Sequence, residues 1–109
     1  MGVPRSIEAR IYYRCAFHRF EDALILLRAD RTTGAVYLAG YSVECMLKAL
    51  ILSTVPAKKR LDVFQSFRGP TGHDFDYLRN QYRLNRGAPF PREVNQSFTL
   101  VNDWSTDLR

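Results

Sequence analysis

Three arginines, Arg79, Arg83 and Arg86, recur at intervals of four and three residues, which places them on one strip of a helix. No carboxylate is interleaved among them. Guanidinium groups in such a row repel one another until an anion arrives, and their planar forks match the paired oxygens of a phosphate. Lys58, Lys59 and Arg60 lie upstream and could extend that surface, and Tyr77 or Tyr82 offers a ring on which a base could stack. A solvated basic face is the other reading of the same residues. The formal net charge is +5, and residues 55–92 hold eight basic side chains against three acidic ones, Asp62, Asp74 and Asp76. Eight minus three accounts for the whole excess, so the positive charge sits in one contiguous third of the chain. That asymmetry favours a phosphate-bearing partner over a diffuse effect on solubility.

A second group combines opposite charges with phenols. Tyr37, Tyr41, Glu44 and Lys48 step by four, three and four, so they share one strip of a helix, with Gly40 beside them. Two phenols, a carboxylate and an ammonium on one strip could hold a base and a phosphate. They could equally form a half-buried polar strip whose charges neutralise each other and set the register of a bundle. His73, beside Asp74 at the start of a helix, could donate to a phosphate or move a proton, since its ordinary pKa lies near neutrality. Its structural reading is a histidine hydrogen-bonded to a carboxylate such as Glu44. The two cysteines, Cys15 and Cys45, each sit in an apolar helical pattern and read as buried thiols. They come with no ligand-spaced histidines, and no glycine-rich phosphate loop or paired nucleophile and base appears. No catalytic residue, metal site or cofactor is therefore assigned.

These groups need helices to position them. Residues 33–52, TGAVYLAGYSVECMLKALIL, are apolar almost all round, as suits the central helix of a bundle. Glu44 and Lys48 interrupt the apolar run, which argues against a membrane span. Before it, residues 5–29 form a first helix whose inward stripe is predicted to be Tyr13, Phe17, Phe20, Leu24 and Leu27, extended by Ile7 and Ile11. The turn at 30–34 offers Asp30, Thr32 and Thr33 as N-caps, and its shortness makes the two helices antiparallel neighbours. Pro56 stops the central helix. A weaker helix at 57–68 follows, with Leu61, Phe64 and Phe67 inward, until residues 69–72 break it. Thr71 with Asp74 fits a capping box for a helix that turns Phe75, Leu78 and Tyr82 inward. After a loop at 85–91, Pro91 opens a last helix with Val94, Phe98, Val101, Trp104 and Leu108 as its stripe. With 109 residues, 46% hydrophobic and 25% charged, the chain reads as one all-α domain, an up-and-down bundle of four to five helices. The charged opening MGVPRSIEAR lacks the apolar core of a secretory signal, so a cytoplasmic protein is expected.

The pattern Gly40-Tyr41-x-x-Glu44-x-x-Leu47-Lys48, within YLAGYSVECMLKALI, resembles the HEPN family of helical domains. Gly72-His73-Asp74, with Leu78 beyond it, and the closing WSTDLR add to the likeness, which covers most of residues 15–109. The resemblance implies an up-and-down bundle that pairs through its helices into a homodimer. It also implies nucleotide or RNA binding, or partnership with a small nucleotidyltransferase in a toxin–antitoxin system. Family members that cleave RNA carry an Arg, a polar residue and, four to six residues after the Arg, a His. Here Arg79-Asn80 supplies the opening pair, but Arg83, Leu84, Asn85 and Arg86 occupy the positions where the His would follow. Arg68 and His73 meet the spacing only across Gly69, Pro70 and Gly72. Three expectations follow. The first is a HEPN-like domain binding nucleotide or RNA phosphate. The second is a helical module that recognises an acidic protein. The third is an RNase whose Arg and His lie beyond Arg109, the chain lacking its C-terminal helix.

Overall fold

The computed structural model describes residues 3–69, 72 and 75–84, without the side chains of Phe75 and Asp76. Helix α1 spans Ile7–Arg28 and α2 spans Thr32–Thr54; a 3-10 turn at Ala57–Lys59 leads into α3, Arg60–Ser66, and α4 is Phe75–Leu84. The described residues form an all-α bundle. His73, Arg86, the Thr71 and Asp74 capping box, the inward side chain of Phe75 and the last helix expected from Pro91 lie outside them.

Helix α1 begins where Ser6, in extended conformation, accepts a hydrogen bond on Oγ from the Ala9 amide at 3.2 Å. Glu8 in the first turn and Arg28 in the last complement the helix dipole. The turn after α1 works differently from the expectation. Arg31 N–H donates to the Leu26 carbonyl at 2.8 Å and Asp30 N–H to that of Leu27 at 3.1 Å, the paired bonds of a Schellman ending. Asp30 takes the left-handed position there, with φ 60°, so it terminates α1 and does not cap α2. Arg31 is the N-cap of α2, with no side-chain hydrogen bond, and Thr32 and Thr33 fall inside the helix.

The contact between α1 and α2 follows a pattern of small residues. The buried residues of α1 are Ala9, Ala16 and Ala23, seven apart, and α2 buries Ala35, Ser42 and Ala49 at the same interval. Ser42 Oγ donates to the Ala16 carbonyl at 2.6 Å, which sets the antiparallel register. That register places Ala23 across from Ala35 and Ala9 across from Ala49. A heptad of small side chains lets two backbones approach closely along one seam. The larger residues of α1 are displaced to the flanks. Phe17 is 48% exposed and Phe20 42%, and Ile7, Ile11 and Leu27 also face solvent, while Tyr13 and Leu24 are half-buried, so the predicted stripe flanks the seam and does not fill it.

Beyond this seam, α2 carries Val43, Leu47, Leu50, Ile51 and Leu52 into a core completed by Val55, Phe67, Leu78 and Tyr82. The α4 stripe of Leu78 and Tyr82 is thus inward as predicted, whereas Leu61 of α3 is exposed and leaves Phe64 and Phe67 to make the contact. Val55 is extended (ψ 149°) before Pro56, and α2 ends there. By length and composition α2 is apolar enough to cross a membrane, and 67% of its most apolar stretch is buried within the protein. Coverage of that kind comes from neighbouring helices on several sides.

Candidate functional site

Glu44 and Lys48 lie one turn apart on α2, and Lys48 Nζ donates to Glu44 Oε2 at 3.0 Å. Both side chains are buried. Tyr12 of α1 and Phe67, at the end of α3, stand over the ammonium, with ring centroids 5.3 and 5.5 Å from Nζ. The two rings meet edge to face at 5.7 Å, and Phe64 packs edge-on against Tyr12 at 5.9 Å. Ring faces attract a cation, and a desolvated ammonium gains more from them than an exposed one. The pair is therefore held from α1, α2 and α3 together. Burial, followed by the charges of Cys45 and Glu44, pushes the Tyr12 phenol above its ordinary value, with Arg68 acting in the opposite direction.

The four-residue strip is divided by this arrangement. Tyr37 is 77% exposed and stands apart from the ion pair. Tyr41, 38% exposed, lies at the edge, close enough to Cys45, Cys15 and Glu44 for their charges to act on it. The thiolate forms of Cys45 and Cys15, then burial, push its phenol up to about 12. Glu44 and Lys48 are too deeply buried to grip a ligand in solvent, so their chemistry is the neutralisation of charge between helices.

Cys15 and Cys45 meet between α1 and α2, Cys15 next to Ala16 and Cys45 three residues beyond Ser42. Cys45 Sγ donates to Cys15 Sγ at 3.4 Å. Cys45 is fully buried and Cys15 partly exposed. Burial, a hydrogen bond and charge from Cys15, and the Glu44 carboxylate all push the Cys45 thiol well above its ordinary value, and Lys48 opposes them.

The basic residues occupy two elements. Lys58 and Lys59 are exposed on the 3-10 turn. Arg60 turns back toward α2, its Nε donating to the Leu52 carbonyl at 3.4 Å, and so satisfies an open end of that helix. On α4, Arg83 is exposed and Arg79 is half-buried and engaged in an interaction. Arg68, just after the buried Phe67, is exposed as well. The ion pairs among the described residues are Glu44–Lys48 and Arg19–Asp22, so Lys58, Lys59, Arg68 and Arg83 have no carboxylate partner among them.

Three features escape the periodicity that found these residues. Tyr12 and Phe67 are single aromatics whose role comes from a contact across helices. The pairing of Cys15 with Cys45 depends on helix register. The small-residue heptads of α1 and α2 were visible as a spacing of seven, but attention to large apolar side chains passes over them. No family model matches this chain, and neither a curated protein nor a solved structure matches it significantly.

Proposed function

We propose that this chain is a cytoplasmic, HEPN-like helical domain that binds the phosphates of a nucleotide or RNA and acts as a homodimer. Its setting is a toxin–antitoxin or nucleotidyltransferase-partner system, as the Gly40-Tyr41-x-x-Glu44-x-x-Leu47-Lys48 pattern implies. The observation that carries the binding reading is the exposure of Lys58, Lys59, Arg68 and Arg83 with no carboxylate partner among the described residues. Cations left in this state gain most from a multivalent anion, and phosphate contacts are the sequence-independent part of nucleic-acid binding. The buried Glu44–Lys48 pair supports the scaffold under this reading and touches no ligand.

The test is binding of a short labelled single-stranded RNA at two salt concentrations, for the wild type and for a Lys58→Ala/Lys59→Ala/Arg83→Ala variant with an intact helical spectrum. The expected result is salt-sensitive binding by the wild type and a shallower logarithmic salt slope in the variant. Three lost phosphate contacts reduce that slope by about 2. Equal binding by both proteins, or none at low salt, rejects the phosphate reading and leaves recognition of an acidic protein in its place.

A further inference from the structure

We propose that Cys15 and Cys45 are a peroxide-oxidisable pair, in which Cys15 is attacked first and Cys45 then closes an intramolecular disulfide that ties α1 to α2. Three observations carry this. The two sulfurs lie 3.4 Å apart, on different helices and thirty residues apart in the chain. A disulfide requires about 2 Å, so a closure of little more than an ångström completes the bond. The alanine seam holds this register on either side of them, through Ala16 against Ser42 and the adjoining small residues. Finally, access is unequal: Cys15 is partly exposed and Cys45 is 0% exposed.

The unequal access assigns the order of the reaction. A peroxide that reaches the Cys15 sulfur transfers one oxygen to it, giving a sulfenic acid, and the peroxide leaves as water or an alcohol. The Cys45 sulfur then attacks the Cys15 sulfur. The sulfur–oxygen bond breaks, the hydroxyl leaves with the proton from Cys45 as water, and the sulfur–sulfur bond forms. Two thiols are oxidised by two electrons in all, and one peroxide is reduced. A dithiol reductant reverses the change by thiol–disulfide exchange. Cys45 already donates its hydrogen to Cys15, so the resolving thiol is in place before oxidation begins. Burial shields the Cys45 sulfur from the oxidant, so the more accessible Cys15 is the first target and Cys45 attacks from within the seam. A metal is the weaker occupant, because the described residues contain no group of three or more His, Cys, Asp or Glu side chains able to hold one.

The proposal is tested on the full chain with hydrogen peroxide as the oxidant. Equal amounts of unlabelled and 15N-labelled reduced protein are mixed and treated with peroxide. Free thiols are then alkylated in denaturant, and the protein is digested with trypsin. The expected product links the peptide of residues 15–19 to that of residues 32–48, lighter than their sum by two hydrogen atoms. Both peptides carry the same isotope, and dithiothreitol abolishes the product. In the Cys45→Ala variant the link disappears, and a dimedone adduct accumulates on Cys15. Two alkylated cysteines in the peroxide-treated wild type overturn the proposal. Mixed-isotope links show pairing between chains and also overturn it. The wild-type result stands whether or not the variant folds.

Discussion

Lys48 illustrates how one buried residue can hold three helices. Its ammonium is neutralised by Glu44 on its own helix and faced by Tyr12 and Phe67 from two others. Replacing Lys48 by Met keeps the apolar stem but removes the ammonium that donates to the buried Glu44 carboxylate. Removing one member of a buried pair costs about 3–5 kcal/mol, so urea unfolding of Lys48→Met is expected to show a loss of that size. The tyrosines and Cys45 predict an alkaline response. The Cys45 thiol is raised above 9.0, and the Tyr12, Tyr41 and Tyr82 phenols are raised above 10.0. Each acid therefore holds its proton longer in the folded state than in the unfolded one. Their contribution to stability is fully present below pH 9 and is lost as pH rises through the folded values, for Tyr41 between 10.0 and about 12. Denaturant melts from pH 8 to 11 should show stability falling from about pH 9 upward; a flat profile rejects the assignment.

At the scale of elements, the α1–α2 hairpin rests on Ala9, Ala16 and Ala23 meeting Ala35, Ser42 and Ala49. The close approach depends on size more than on hydrophobicity. Ala16→Leu adds apolar surface at little cost in helix propensity, yet it must push the helices apart at the point where Ser42 bonds the Ala16 carbonyl. A destabilisation of about 3 kcal/mol is expected in chemical denaturation, at the upper end of overpacking costs because backbone is adjacent. Ala16→Ser should cost far less. The flanking stripe explains itself by the same geometry. In sequence, Tyr13, Phe17, Phe20, Leu24 and Leu27 form a regular amphipathic pattern, but a seam of alanines leaves large side chains only the flanks.

On the scale of the whole molecule, those flanks bear on assembly. Phe17, Phe20 and Leu27 are large apolar side chains exposed along one side of α1, with Ile7, Ile11 and Ile25 elsewhere on it. An exposed apolar stripe on a small domain is the kind of surface through which helices pair. If the homodimer proposed above forms there, sedimentation should give a dimer for the wild type, and Phe17→Glu/Leu27→Glu should shift it to monomer with unchanged helicity. A wild-type monomer at tens of micromolar removes the dimer from the proposed function. The excess positive charge lies in residues 55–92 and the exposed apolar side chains named here lie on α1, so the two sets of substitutions share no residue.

Periodicity, composition and punctuation determined the all-α class, the place of α2 at the centre, the stop before Pro56 and the inward turn of Leu78 and Tyr82. These depend on neighbours a few residues away, and local spacing reports them directly. The partition of the polar strip was decided elsewhere. One helical wheel places Tyr37, Tyr41, Glu44 and Lys48 on a common line, but only the packing of α1 and α3 determines how far along that line the protein closes. Tyr37 lies beyond the covered part, while Lys48 lies beneath Tyr12 and Phe67. The meeting of Cys15 with Cys45 likewise depends on an antiparallel register between two helices. A register is a relation between two separate stretches of chain, and only the tertiary structure sets it.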